Sequence, residues 1–371
     1  MIAVVGATLP GLAAAARLAR LGHEVTLLDA LPGPRPLLPS PLDPDPAAVV
    51  LPAAWRDLFK KTGRTLDAAL GKRGLALTPA PPRRYDTPGG PIDLPHDRAG
   101  QWHYLESRLG PEAATAWRDL LDTMDATWLE VRRLGLEEEF TGLDRAARAG
   151  LRRSRTLAGL AAALPPELSA IVTGLALARD SLPRRTPGWL GTRLGIERTF
   201  GVWQVTSRDG TALPSQTLVD LLIERVAERG VELRWGTTVD RVGRGSLVVA
   251  GETVPADATV LATDPWTASS LLPGDAGLRR STRRIVPAAT AGPRWEGLRT
   301  LLALPRLTTC TPGVYAASAF SPAGPEPWAQ VLTGALVTYR VHADLTGEDA
   351  RPTNKQFRLP PLPRPGLRRG R

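Results

Sequence analysis

The chain has 371 residues, a hydrophobic share of 43% and a formal net charge of +10. That length holds one large or two ordinary domains, with a composition ordinary for a globular protein. It contains no apolar run of about eighteen residues that would cross a membrane, and its first residues lack the basic region and cleavage site of a signal peptide.

The single cysteine, Cys310, excludes an internal disulfide framework and a cysteine-based metal cluster. A reducing, cytoplasmic setting is expected. Histidines at 23, 96, 103 and 342 have no metal-ligand spacing, so no metal is expected. Most of the positive charge is arginine, since lysine stands only at 60, 61, 72 and 355. The arginines are spread along the chain and form no nucleic-acid-reading motif, so no nucleic-acid partner is expected. Weak peripheral attraction to an anionic membrane fits the charge better. A plainly solvated basic surface fits it too, and the oligomeric state is open.

Residues Ile2 to Val5 form a short β-branched apolar run, which reads as a buried strand. Pro10 and Gly11 open an Ala/Leu-rich helix, with proline where a missing N–H costs nothing. Gly22 closes it, and Val25 to Leu28 read as a second strand ending in Asp29. This is a βαβ unit with a glycine-bearing first turn. Such a turn and the following helix N-terminus attract a diphosphate, and an acid about twenty residues further on can accept from a ribose. The turn reads Gly6-Ala7-Thr8-Leu9-Pro10-Gly11, with Thr8 where the pattern GxGxxG has its middle glycine. A branched side chain there should push phosphates away or make the loop adjust.

Residues 31–54 are proline-dense and read as an extended loop, neither helix nor central strand. A helix is expected from Trp55 to Leu70, two strands across 75–95 around a turn at Thr87–Gly90, and helices across 102–140. Residues 143–155 are a short basic stretch, followed by helices at 156–164 and from Glu167 to Ala178. A strand is expected over 199–205 and an amphipathic helix from Pro214 to Arg229, stopped by Gly230. Strands follow at 231–234 and 239–242, a hairpin at 246–254, and a buried strand from Ala258 to Ala262 leaving on Thr263-Asp264-Pro265. Residues 313–325 lead into a helix from about Trp328 to His342, and the tail from Gln356 is Pro/Arg-rich and expected to be disordered.

Four blocks together resemble the phytoene (carotenoid) desaturase branch of FAD-dependent, amine-oxidase-like oxidoreductases. They are the opening βαβ; LPAAWRDLFKKTGRTLDAAL with its following GGPIDLP; the stretch from FGVWQV to VLATDP; and GVYAASAFSPAGPEPWAQVLTGALVTY. The resemblance implies an α/β fold. A Rossmann-type FAD-binding domain, a parallel sheet with helices on both faces, is assembled from discontinuous segments, with an inserted helical and mixed substrate domain. The segments expected are 1–70, 201–270 and 313–345 for the FAD-binding domain, 71–200 and 271–312 for the substrate domain, and a tail at 346–371.

The cofactor implied is FAD. Gly6, Ala7, Thr8 and Gly11 would line its diphosphate, Asp29 would face the ribose, and Val239 falls where the family's backbone meets the adenine. A GGR-type motif is represented by Pro32-Gly33-Pro34-Arg35, which brings in Arg35. The family's late Gly-Asp pair is represented by Ala317-Ser318, with Gly324 beyond it. The partner implied is an apolar small-molecule substrate, a polyene or isoprenoid, giving up a hydride to the flavin. No catalytic base is identified: Asp180, Glu197 and His103 are conceivable, each more readily structural. A cofactor-poor binding or scaffold relative is the alternative that the departures at Thr8, Pro34 and Ser318 favour. An NAD(P)-binding dehydrogenase would use the first turn but leaves the later blocks unexplained.

Overall fold

The computed structural model describes residues 1–37, 42, 45–144, 151, 156–289 and 292–351. In chain order the elements begin β1 (Ile2–Val5), α1 (Leu9–Arg20), β2 (Val25–Asp29), β3 (Ala48–Val50), α2 (Pro52–Lys61), α3 (Leu66–Gly71), β4 (Ala76–Pro79), β5 (Arg83–Tyr85) and β6 (Ile92–Leu94). Next come α4 (Arg98–Leu109), α5 (Pro111–Val131), α6 (Leu157–Ala161), α7 (Pro166–Leu177), α8 (Thr192–Phe200), β7 (Val202–Thr206), β8 (Ala212–Leu213), α9 (Gln216–Glu228) and β9 (Glu232–Trp235). The chain continues through β10 (Val239–Gly243), β11 (Ser246–Val249), β12 (Glu252–Pro255), β13 (Ala258–Leu261), α10 (Pro265–Leu271), α11 (Ala276–Arg284), α12 (Leu298–Ala303), β14 (Val314–Ala316) and α13 (Pro327–Thr346).

A five-stranded parallel sheet in the order β14-β13-β1-β2-β9 organises the molecule. Its strands come from the opening of the chain, the stretch 232–261 and residues 314–316. Strands β1, β2 and β13 are buried at every position, the signature of a parallel sheet covered on both faces. On one face lies α1, whose run of small residues permits a close crossing with α13. A Cβ added at Gly334 would lie 2.7 Å from the Ala13 Cβ and from the Pro10 carbonyl. The other face packs on the β10-β11-β12 meander and on α10 and α11, through Val5, Leu28, Leu261, Leu247 and Leu278.

A second, antiparallel sheet is ordered β3-β7-β4, with β8 on β7. Helices α4 to α8 enclose a separate core around Trp117, Leu121, Leu168 and Leu194. A buried ionic relay ties this part to the start of α13: Glu326 accepts from Arg179 and Arg193, and Glu197 accepts from Arg193 at 2.5 Å and pairs with Arg83 at 3.1 Å.

Several elements differ from expectation, each for a local reason. The helix expected over 55–70 is two, because Gly63 takes φ +130° and Thr65 then caps α3 by accepting from the Ala68 N–H. The strand expected from Thr199 starts at Val202, after Thr199 and Phe200 finish α8 and Gly201 turns the chain at φ +73°. Residues 75–95 give three strands, not two: β4 joins β7, while β5 and β6 form the hairpin. The proline-dense loop contributes β3, a short proline-free run at the edge of its sheet, and its Pro52 opens α2. The tail from Gln356 and most of the basic stretch 143–155 lie outside the described residues.

Candidate functional site

The site is built at the carboxyl end of β1, where the chain turns into α1. Gly6 has φ +107°, and a Cβ on it would stand 2.5 Å from the Ala262 carbonyl oxygen. A Cβ on Gly11 would stand 2.2 Å from the Gly6 carbonyl oxygen. Both glycines are therefore demanded by the closeness of α1 to β1 and β13. Thr8 is the N-cap residue of α1, but its hydroxyl does not cap the helix; it donates to the Ala262 carbonyl at 2.7 Å. The first-turn N–H groups of α1 have no intrahelical acceptors, which leaves positive potential at the helix mouth.

Asp29 closes the turn from the next strand. Its carboxylate accepts from the Ala7 N–H at 2.7 Å, from the Leu31 N–H at 2.9 Å, and from Arg35 through two nitrogens at 3.0 Å each. The Asp29 side chain is 0% exposed, while that of Arg35 is 41% exposed. Burial pushes the carboxyl up, but the hydrogen bonds from Arg35, Leu31 and Ala7 outweigh it and hold it below the ordinary carboxylate range. Asp29 thus pins the glycine turn and anchors Arg35, whose guanidinium forms part of a cavity wall.

That cavity has a volume of about 550 Å³, within the range of small-molecule and cofactor sites. Ala7, Thr8 and Leu9 floor it, and Arg35, Pro36, Leu37, Val219, Asp264, Ala289 and Gly292 stand around it. Ser318, Ala319, Phe320 and Gln330 complete the lining from the lead-in to α13 and its first turns. Ser318 accepts from the Phe320 N–H at 3.2 Å, Gln330 donates to the Pro325 carbonyl at 2.7 Å, and Trp266 meets Phe320 edge-on at 5.3 Å between centroids.

Of the residues singled out from sequence, the structure brings Gly6, Ala7, Thr8, Gly11, Asp29, Arg35 and Ser318 to this one place. Val239 does not join them: it is buried in the core on the meander side of the sheet. Gly324 sits in a turn with φ +101°, its N–H bonded to the Ser321 carbonyl, off the cavity wall. None of the three conceivable bases lines the cavity. Glu197 is committed to Arg193 and Arg83, and His103 belongs to a second cavity beside Trp102 and Trp117. Asp180 accepts from the Ala289 N–H at 2.6 Å and so props the wall from behind. Sequence reading missed Val219, Ala289, Phe320 and Gln330, which reach the site from three separate stretches; only Gln330, a polar residue inside an apolar helix, carried a signal.

The family model for flavin-containing amine oxidoreductases matches residues 45–291. The chain belongs to that family. Hydroxyneurosporene desaturase of Cereibacter sphaeroides is 31% identical over 307 residues, covering 74% of this chain and 58% of that protein. The chain thus spans under three-fifths of that relative's length. Among solved structures, cyclohexylamine oxidase from Brevibacterium oxydans matches with a TM-score of 0.52 at 12% identity, over 93% of this chain and 99% of that one. The CLA-producing fatty acid isomerase from P. acnes matches with a TM-score of 0.50 at 16% identity, over 77% of this chain and 64% of that one. At such identities these two show a shared fold.

FAD is the cofactor of this family, and the turn fits its diphosphate. The helix mouth at Ala7 to Leu9 and the Arg35 guanidinium both line the cavity, and Asp29 holds Ala7 and Arg35 together. The ribose end fits less simply, because both Asp29 oxygens are already engaged.

Proposed function

We propose that the chain is an FAD-dependent oxidoreductase of the carotenoid-desaturase kind, which removes a hydride from an apolar polyene or isoprenoid substrate. The observation that carries this reading is one cavity with two chemistries. Its lining joins a helix mouth and an arginine, suited to a diphosphate, to the apolar side chains of Leu37, Val219, Ala289 and Phe320, suited to hydrocarbon. The likeness to a carotenoid desaturase supports the substrate class.

When bound, FAD supplies a two-electron acceptor. The residues of this chain would supply the rest. The first-turn amides of α1 and the Arg35 guanidinium hold and neutralise the diphosphate, and the apolar wall excludes water and orients the substrate. The first test is the colour and flavin content of the purified protein. Absorbance near ~450 nm, as for oxidised flavin, with FAD released on denaturation, is the expected result. Bleaching of that band under anaerobic conditions by a polyene, and not by a primary amine, would then identify the substrate class.

A second reading has one observation in its favour. The saturated Asp29–Arg35 pair occupies the ribose acceptor, which suits a chain that keeps the fold without the cofactor. Colourless protein that FAD cannot reconstitute would decide for that binding or scaffold role.

A further inference from the structure

Away from the cavity floor, α11 carries a concentration of charge that no feature of the cofactor site uses. Its sequence, AGLRRSTRR, buries Leu278 and Ser281 and exposes Arg279, Arg280, Arg283 and Arg284 on the opposite face. Among the described residues none of these four arginines has an ion-pair partner. Unpaired arginines occur singly elsewhere among the described residues, as at Arg20 and Arg208, beside paired ones such as Arg185–Glu296 and Arg340–Asp344; α11 differs in carrying four within nine residues. Helix α12 packs beside α11 and adds exposed Arg299, with exposed Arg306 just beyond it, and neither has an ion-pair partner among the described residues.

Apolar residues stand among these charges. Val286, two residues past α11, is 49% exposed, and Leu302 on α12 is 54% exposed. The segment joining the two helices doubles back on itself. Arg294 donates its N–H to the Val286 carbonyl at 2.8 Å, and Ala288 donates to the Gly292 carbonyl at 3.0 Å. The same segment supplies Ala289 and Gly292 to the cavity wall. The basic face and the rim of the cavity are therefore parts of one continuous piece of chain.

We propose that the α11–α12 face is a docking surface for an anionic lipid bilayer. The arginines would meet headgroup charge, and Val286 and Leu302 would enter the boundary beneath. Charge complementarity and the isolated apolar side chains both point to a lipid surface. A nucleic-acid site would use the charge but gives no reason for exposed Val286 and Leu302. Because the segment between α11 and α12 also lines the cavity, docking here would bring that part of the cavity wall close to the bilayer, the source of a substrate that water dissolves poorly. That delivery role rests on the apolar-substrate reading above; the docking itself does not.

The test is vesicle flotation of the full chain, with and without added FAD. Vesicles are phosphatidylcholine alone or with about one-third phosphatidylglycerol, an anionic lipid. Binding is expected only to the anionic vesicles and should fall steeply with added salt. Each arginine near such a surface is worth roughly fivefold in partitioning, so the variant Arg279→Gln/Arg280→Gln/Arg283→Gln/Arg284→Gln should bind on the order of several hundredfold more weakly. Removing the same charge from exposed, unpaired positions elsewhere, as Arg20→Gln/Arg208→Gln/Arg241→Gln/Arg244→Gln, should cost far less. Equal loss in both variants, binding to neutral vesicles, or competition by a short DNA duplex at the same salt would overturn the proposal.

A second measurement needs no charge variant to fold. Cys310 is the chain's single cysteine and is exposed, and its N–H donates to Asp275, the N-cap of α11, at 2.6 Å. A polarity-sensitive fluorophore on Cys310 should shift to the blue with anionic vesicles and be quenched by spin-labelled lipid. An unchanged spectrum on bound vesicles would place a different face on the membrane and refute the assignment. Docking that survives without flavin uptake or substrate turnover would leave this proposal standing while the oxidoreductase reading fails.

Discussion

Replacing Asp29 with Asn tests whether this residue is the structural latch of the turn. The carboxylate accepts from two backbone N–H groups and from both sides of the Arg35 fork, with no exposure to water. Asn keeps one oxygen and sets an NH2 group against donors that need an acceptor. A buried donor left unsatisfied costs about 1–3 kcal/mol, and a charged hydrogen bond contributes about 1.5–3 kcal/mol. Arg35 is partly exposed and can turn to water, so its share is discounted. A net loss of about 2–4 kcal/mol follows. Urea unfolding at neutral pH measures it through the shift in midpoint.

The pH dependence gives a second, independent reading of the same latch. The folded carboxyl lies below its unfolded value of about 3.9, so its contribution is fully present above that pH and is lost as the pH falls through the lower, folded value. The gap between wild type and Asp29→Asn should therefore close only in strong acid. A loss under about 0.5 kcal/mol, the size of an ordinary surface substitution, or a gap that closes near neutrality, would refute the latch.

Other perturbations test neighbouring parts of the argument. Thr8→Gly removes the branched side chain from the cavity floor and should tighten FAD binding; unchanged flavin retention on purification would show that the turn does not touch the cofactor. Gly334→Ala forces a Cβ to within 2.7 Å of Ala13 and Pro10 and should cost about 1–3 kcal/mol through overpacking, read by thermal melting. Glu326→Gln strips charge from a buried site between Arg179 and Arg193 and should cost about 3–5 kcal/mol, with the start of α13 and flavin retention affected together. His23 contacts His342 at 2.8 Å, and burial, followed by the His342 charge, lowers its pKa. Its neutral form is thus favoured in the fold: stability is full above about 6.5, the unfolded value, and declines as the pH falls below it. His23→Gln should flatten that part of a melting-temperature profile.

The opening βαβ was legible because its signals are local and redundant. A buried strand, a glycine turn, a proline at the start of a helix and an acid at the next strand end all sit within thirty residues, and each is enforced by sterics. The later strand Ala258–Leu261 was equally plain, since a fully buried parallel strand reads as an unbroken apolar run. What the sequence hid was the partner of Asp29. Sequence position suggested an acid facing a ribose, but position says nothing about which donor reaches the carboxylate first. The proline-dense loop shortens the path from Asp29 and folds Arg35 back onto it, an event of chain geometry with no local pattern. The cavity wall was hidden for the same reason: Val219, Ala289 and Phe320 meet only after the sheet is assembled.

The three positions of the glycine motif carry different kinds of information. Gly6 and Gly11 are required by the chain's own atoms, since a side chain on either would strike backbone carbonyl oxygens at Ala262 or Gly6. Their presence would be selected in any protein that keeps α1 this close to β1, with or without a nucleotide. Thr8 differs, because its side chain points to the cavity floor and its hydroxyl finds an acceptor within the protein. Only there does the choice of residue respond to what lies in the cavity. The fold therefore explains two glycines without invoking a ligand, and the case for a diphosphate rests on the helix mouth and Arg35 lining one cavity. If Arg35→Gln left the binding of ADP, the fragment without flavin, unchanged in both strength and salt dependence, that case would be lost even in a protein that folds normally.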